Sequence, residues 1–179
     1  MSEFKPAFEE VLTWEGGFQK NPRDRGNWTS GIVGVGQLRG TNMGISAMSF
    51  PEITDIEHMA KDDAAYFYKR DWWRYDNIVD QLVANKMLNM AVNWQRYGGH
   101  GPAIHVLQMA INKINPGVEH DVTDDGTLGP KTINAANAIA PVTLLNEMRR
   151  QALARYKAIE QAHPEDKAFF TGWERRAIS

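Results

Sequence analysis

The sequence predicts a mainly α-helical fold, interrupted once near its start by an irregular glycine-rich segment. Three observations predict it. Apolar residues recur at helical spacing through most of the chain. Eight of the fifteen glycines fall between residues 16 and 46, where no helical period runs. Beyond residue 50 the punctuation suits helices, with Pro102, Pro130 and Pro141 standing where helices would begin.

A first helix is expected over residues 4–15. Phe4, Ala7, Phe8, Val11 and Leu12 give it one apolar face, and Gly16-Gly17 stops it, because glycine takes the left-handed position past a helix end without penalty. From Thr29 to Val35 β-branched residues are broken by Gly31 and Gly34, with Gly36 following, which predicts a glycine-interrupted hairpin or loop. Thr54-Asp55-Ile56-Glu57 has the form of a capping box and predicts a helix over 54–72. Ile56, Met59, Ala60, Ala64, Phe67 and Tyr68 would lie along one side of it.

The next helix is expected over 79–94, with Leu82, Val83, Met87, Met90 and Ala91 inward. Gly98 to Gly101 breaks the chain, and Pro102 opens a helix to residue 114. Asn115-Pro116-Gly117 reads as a turn. Asp125 to Pro130 reads as a loop leading into a helix over 132–139. Pro141 begins the longest helix, 141–162, whose interior positions are Leu144, Leu145, Met148, Ala152, Tyr156 and Ile159. A short helix over 167–176 closes the chain. Two regions are expected, 1–96 and 97–179, packed as one compact unit.

Composition narrows the function. Twenty basic and 22 acidic residues leave a net charge of −2, which argues against nucleic acid as a partner. With no cysteine, disulfides and thiolate metal sites are excluded. The N-terminus lacks a basic segment followed by a long apolar run, and no apolar run reaches the roughly 20 residues that span a bilayer. The expectation is a chain made in the cytoplasm, without stable membrane insertion. The five histidines lack zinc-type spacing, and no G-x-S-x-G nucleophile motif occurs.

Two carboxylates stand out. Glu15 follows Leu12 and Trp14 where the first helix stops, so partial burial would favour its neutral, proton-donating form. Asp24 follows in a turn-rich polar stretch with Asn21-Pro22 and Gly26, where a carboxyl stays ionised. A glycosidase needs that asymmetry between one acid and one base. Spacing alone favours an ordinary solvated helix end for Glu15 and an ordinary loop carboxylate for Asp24.

The company of these residues adds to the reading. Glu15-Gly16-Gly17-Phe18, Asn21-Pro22, Asp24, Gly26 and Thr41-Asn42-Met43-Gly44-Ile45-Ser46 resemble the signature of glycoside hydrolase family 108. Its members are N-acetylmuramidases of the lysozyme superfamily, known as phage endolysins and secretion-associated muramidases. Downstream, Trp72-Trp73, Asn89 to Asn93, Leu107-Gln108, Asp125-Gly126, Gly129-Pro130 and Gly172-Trp173 are similar to later family elements in the right order.

The resemblance implies a lysozyme-like helical domain over 1–96 and a helical peptidoglycan-binding lobe over 97–179. It implies hydrolysis of the β-1,4 bond between N-acetylmuramic acid and N-acetylglucosamine by a monomer that needs no cofactor and no metal. Its partner would be peptidoglycan glycan strands, reached after release by a holin or a secretion system. Glu15 would be the general acid, Asp24 would stabilise charge or position water, and a threonine would hold that water. Two threonines compete because this chain inserts residues 27–40 into the family pattern. Thr29 keeps the usual distance from Asp24, whereas Thr41 keeps the usual neighbours and is favoured. Asn89 stands where the family commonly has Asp.

Thr29, Asn42, Trp73, Tyr75, Asn93 and Tyr97 are candidate substrate-binding residues. Trp72, Trp73 and Tyr75 would line a groove, with at least one of the tryptophans in the core. Asn93 and Gln95 would meet N-acetyl groups or cap their helix. Residues 121–126 resemble a calcium loop but carry Thr123 at a ligand position and Thr132 where a bidentate Glu belongs, so a turn is expected. Arg149-Arg150 and Arg175-Arg176 read as solvated helix ends. Two other readings are a lytic transglycosylase, in which the sugar's own hydroxyl attacks, and a non-catalytic peptidoglycan-binding module.

Overall fold

The computed structural model describes residues 1–115, 122–164 and 170–179. Among them, seven α-helices run as α1 Phe4–Leu12, α2 Lys61–Asp71, α3 Gln81–Asn93, α4 His100–Ile114, α5 Pro130–Ala138, α6 Pro141–Ala162 and α7 Phe170–Ile178. Two strands, β1 Thr41–Asn42 and β2 Ile45–Ser46, form an antiparallel hairpin in which Thr41 pairs with Ser46 and Asn42 with Ile45. The mainly helical class expected from periodicity is the observed one. Pro116 and Gly117 of the expected turn, His120, Asp121 of the calcium-like loop and the expected helix start at 167 lie outside the described residues.

The chain divides into two compact units, residues 8–73 and residues 1–7 with 74–179. In the latter, α3 is the central element. Every residue from Val83 to Ala91 is buried, which marks a core helix. Both α4 and α6 pack on α3, α7 packs on α6, and α5 packs on α4. The six interior positions expected for α6 are all buried. Leu82 is 60% exposed, against expectation, in the first turn of α3, where the Asp80 carboxylate accepts the Val83 amide at 3.0 Å.

Buried charge in this unit is answered by hydrogen bonds. The Lys86 ammonium donates to the Arg176 and Ala177 carbonyls at 2.7 and 2.6 Å, at the α7 C-terminus, where a cation is favoured. Arg176 is no solvated helix end. It is 8% exposed and donates to Asn89 at 2.7 Å and Asn93 at 3.0 Å.

In the unit of residues 8–73, Phe8, Val11, Ile45, Ala64 and Tyr68 are buried together with Ile56 and Phe50. Helix α2 starts seven residues later than the Thr54 capping box predicts. The Asp55 carboxylate instead accepts the backbone amide of His58 at 3.1 Å and its ring nitrogen at 3.0 Å, closing a local turn. The helix opens at Ala60, whose amide donates to Asp63 at 3.2 Å.

Candidate active site

Glu15 sits at the spent end of α1. Its amide still reaches the Val11 carbonyl at 3.2 Å, after which Gly16 and Gly17 release the chain with open space around both. Glu15 is half-buried. Four residues on, Gln19 exchanges two backbone hydrogen bonds with Thr41, each 2.9 Å. The segment leaving the helix is thereby pinned against β1 and cannot carry Glu15 away from the hairpin.

The hairpin turn is Met43-Gly44, with φ of 48° and 76°. Positive φ at both central residues is what a two-residue turn between twisted strands demands, and Met43 bears that conformation without being glycine. The Tyr68 hydroxyl from α2 holds the turn by donating to the Met43 carbonyl at 3.1 Å. A Cβ on Gly44 would lie 2.3 Å from that hydroxyl and 3.1 Å from Glu15 Oε2. The carboxyl and the phenol therefore both close on a glycine that has no side chain to keep them off.

Thr41 and Asp24 are joined through a buried amide. Asn27 has no exposed surface. Its Oδ1 accepts the Thr41 hydroxyl at 2.7 Å and the Gln19 amide at 3.0 Å, while its own amide donates to Gln19 Oε1 at 2.7 Å and the Asn21 carbonyl at 3.0 Å. The Gln19 amide also reaches Asp24 Oδ2 at 3.1 Å. Asp24 is exposed and caps a short 3-10 turn, its Oδ1 accepting the Gly26 amide at 2.9 Å. One polar node thus fixes a hydroxyl, an exposed carboxylate and the base of the hairpin. Gly40 lets the backbones meet there, since a Cβ on it would lie 2.6 Å from the Gln19 carbonyl oxygen.

Thr29 has a different task. Its hydroxyl accepts the Gln37 amide at 3.0 Å, and a Trp28–Leu38 bridge closes the inserted loop above it. Asn42 is 9% exposed and donates to the Ile56 and Glu57 carbonyls at 3.1 and 3.2 Å, anchoring the hairpin to the turn before α2. Trp73 is 9% exposed and packs in the core of its unit, with Trp72 half-buried.

The other candidates belong to the unit of residues 1–7 and 74–179. Tyr75 has no exposed surface to offer a sugar. It is core, its hydroxyl 2.9 Å from His100 Nδ1, and burial pushes its phenol far up. The Asn93 amide donates to the Tyr156 hydroxyl and its carbonyl accepts from Arg176, so both ends serve the internal network. Tyr97 is half-buried, its ring 5.6 Å from His163 and 6.2 Å from Trp173. In the loop that leads into α5, Asp125 accepts from Gln108 at 2.9 Å and from the Thr127 amide at 2.8 Å, a turn-forming role. No cluster of three metal-ligating side chains occurs among the described residues.

Gln19, Asn27 and the Tyr68 hydroxyl are the parts that sequence reasoning did not assign to the site. An amide seen only as one end of an insertion gives no periodic signal. Gly40 and Gly44, glycines flanking Thr41 to Met43, were the available hint.

Known proteins bear on this geometry. Residues 8–94 match the family model described as Glycosyl hydrolase 108, and residues 102–178 match that described as Predicted Peptidoglycan domain. Among solved structures, the chain is similar to that of Brucella abortus SagA, at 23% identity and a TM-score of 0.61, over 98% of this chain and 93% of that one. At this identity the likeness shows the fold. No curated protein matches the chain.

Proposed function

We propose a specific bond and site for a chain that belongs, through residues 8–94, to the glycosyl hydrolase 108 family and carries a peptidoglycan domain over residues 102–178. The chain is a peptidoglycan hydrolase of the muramidase type. The bond is the β-1,4 linkage between N-acetylmuramic acid and N-acetylglucosamine. Glu15 protonates the leaving oxygen. Asp24 stabilises the developing positive charge or positions water, and the Thr41 hydroxyl holds that water.

One observation carries this assignment. Glu15 closes on the Met43-Gly44 turn of the same hairpin whose Thr41 hydroxyl is tied through Asn27 and Gln19 to Asp24. A proton donor, an exposed carboxylate and a hydroxyl on one hydrogen-bonded scaffold suit acid-assisted attack by water, since preorganised groups need no reordering at the moment of reaction. The same contacts favour Thr41 over Thr29, because the Thr41 hydroxyl joins the Asn27–Gln19 network that reaches Asp24, whereas the Thr29 hydroxyl accepts the Gln37 amide within the inserted loop.

The enzyme acts as a monomer in the manner of a phage endolysin, made in the cytoplasm and released to the wall by a holin or a secretion system. No helix of the described residues is long and apolar enough to cross a membrane. Mass spectrometry of muropeptides after digestion tests the reaction. Hydrolysis leaves reducing N-acetylmuramic acid ends. Ends in the 1,6-anhydro form would instead establish a transglycosylase, and reducing N-acetylglucosamine ends would establish a different bond.

A further inference from the structure

Helix α2 presents two unlike faces. Ala64 and Tyr68 turn inward, and Tyr68 serves the Met43-Gly44 turn. Tyr66 lies two positions earlier, about 200° around the helix, and is 61% exposed. It lines a cleft of about 400 Å³ with Asp63 and Phe67 of α2 and with Ile53, Asp55 and Met59 of the preceding turn. That volume lies in the range of small-ligand sites.

The Tyr66 ring is held from one side. Its neighbour Phe67 meets it edge-on, centroids 5.5 Å apart at 78°, and the Arg70 guanidinium sits 5.8 Å from its centroid and 5.1 Å from that of Phe67. Arg70 is itself fixed by Asp71 at 2.6 Å. An exposed aromatic surface on a rigid mount is thus available beside two carboxylates. Asp55 is engaged by His58 and Asp63 by the Ala60 amide. A carboxylate offers about four acceptor positions, so both keep acceptors for further donors.

We propose that this cleft is an accessory glycan site that holds an N-acetylated sugar of peptidoglycan on the catalytic unit, on the α2 face turned away from Tyr68. The apolar face of the pyranose stacks on Tyr66. Its hydroxyls donate to Asp55 and Asp63, and the acetyl methyl packs against Ile53 and Met59. A neutral polyol suits the cleft better than the carboxylates of a stem peptide, because Asp55 and Asp63 line it and repel an anion. The site would keep the enzyme on the polymer between cleavages.

The proposal rests on peptidoglycan being the substrate, and not on the roles given to Glu15, Asp24 and Thr41. The test is NMR titration of the full chain carrying Glu15→Gln with the N-acetylglucosamine tetramer, and separately with a free stem pentapeptide. The tetramer is expected to shift resonances of residues 53–67. Adding Tyr66→Ala should weaken that response about tenfold, and Tyr66→Phe should restore it, since the ring and not the hydroxyl does the stacking. Both variants should keep wild-type melting, as Tyr66 is exposed. Shifts confined to the surroundings of Glu15 would overturn the accessory site alone. Shifts of residues 53–67 with the pentapeptide in place of the tetramer would also overturn it. No response anywhere to the tetramer would count against the proposed function as well.

Discussion

Gly44 and Gly34 offer a matched pair of substitutions. Both have left-handed backbones, φ 76° and 81°, so alanine at either carries the same conformational cost, about 1–2 kcal/mol. Their surroundings differ. A Cβ at Gly34 meets nothing within 4 Å, whereas a Cβ at Gly44 lies 2.3 Å from the Tyr68 hydroxyl and 3.1 Å from Glu15 Oε2. Tyr68 cannot step aside cheaply, because it is 2% exposed with its ring 5.3 Å from Phe8. Gly44→Ala should therefore also lose the Tyr68–Met43 hydrogen bond, a further cost of about 1 kcal/mol, for a total of about 2–3 kcal/mol. It also crowds the Glu15 carboxyl, which must yield by a few tenths of an ångström, so clearance should fall along with stability. Denaturant unfolding with turbidity clearance of purified sacculi measures both effects. Gly34→Ala should lose only the conformational part and clear sacculi at the wild-type rate. Equal clearance by the two variants would refute the claim that the hairpin turn positions Glu15.

The Asn27 node gives a second expectation. Asn27→Ala removes a fully buried amide that makes four side-chain hydrogen bonds and should destabilise by about 2–4 kcal/mol, seen in denaturant midpoints, with loss of clearance. Thr41→Val should reduce turnover at least about tenfold, whereas Thr29→Val should leave turnover unchanged while loosening the inserted loop, readable by hydrogen exchange at Gln37. Alkaline stability follows from Tyr156. Burial pushes its phenol from 10.0 up to about 12. The unfolded chain then releases this proton first, so stability present below pH 10 is lost as pH rises toward 12. Tyr156→Phe should remove that part of the slope in thermal melts across pH 9–12, and an unchanged slope would contradict the burial argument. Asp125 is held below the ordinary carboxylate range by Gln108 first and then by the Thr127 amide. Its stabilisation should persist at neutral pH and vanish as acid protonates it, so Asp125→Asn and wild type should converge in melting temperature at low pH.

Much of the fold was legible because local signals agreed with tertiary need. Pro141 followed by apolar residues at helical spacing defines α6 from Pro141 to Ala162, since proline fits the first turn and the stripe has a core to meet. Thr54 to Glu57 misled because the same residues support a competing turn, and the Asp55 carboxylate finds the His58 amide before a helix can form. Arg176 misled because a charged residue near a helix end is usually solvated, and only the three-dimensional arrangement brings Asn89 and Asn93 to it. In the site, Glu15, Asp24 and Thr41 stood out by their company. Gln19 and Asn27 did not, because their value lies in hydrogen bonds across 5 to 22 residues of irregular chain that carry no period. Tyr75 was read as a groove residue from its place beside two tryptophans, and burial decides otherwise.

The most direct measurement is the digestion of purified sacculi by wild type and Glu15→Gln, with muropeptides resolved by mass. The substitution keeps the size of the side chain and removes its acid. Wild type should release fragments with reducing N-acetylmuramic acid ends, while the variant, with an unchanged melting curve, should release none above background. Release of the same fragments by folded Glu15→Gln would contradict the role of Glu15 as the proton donor.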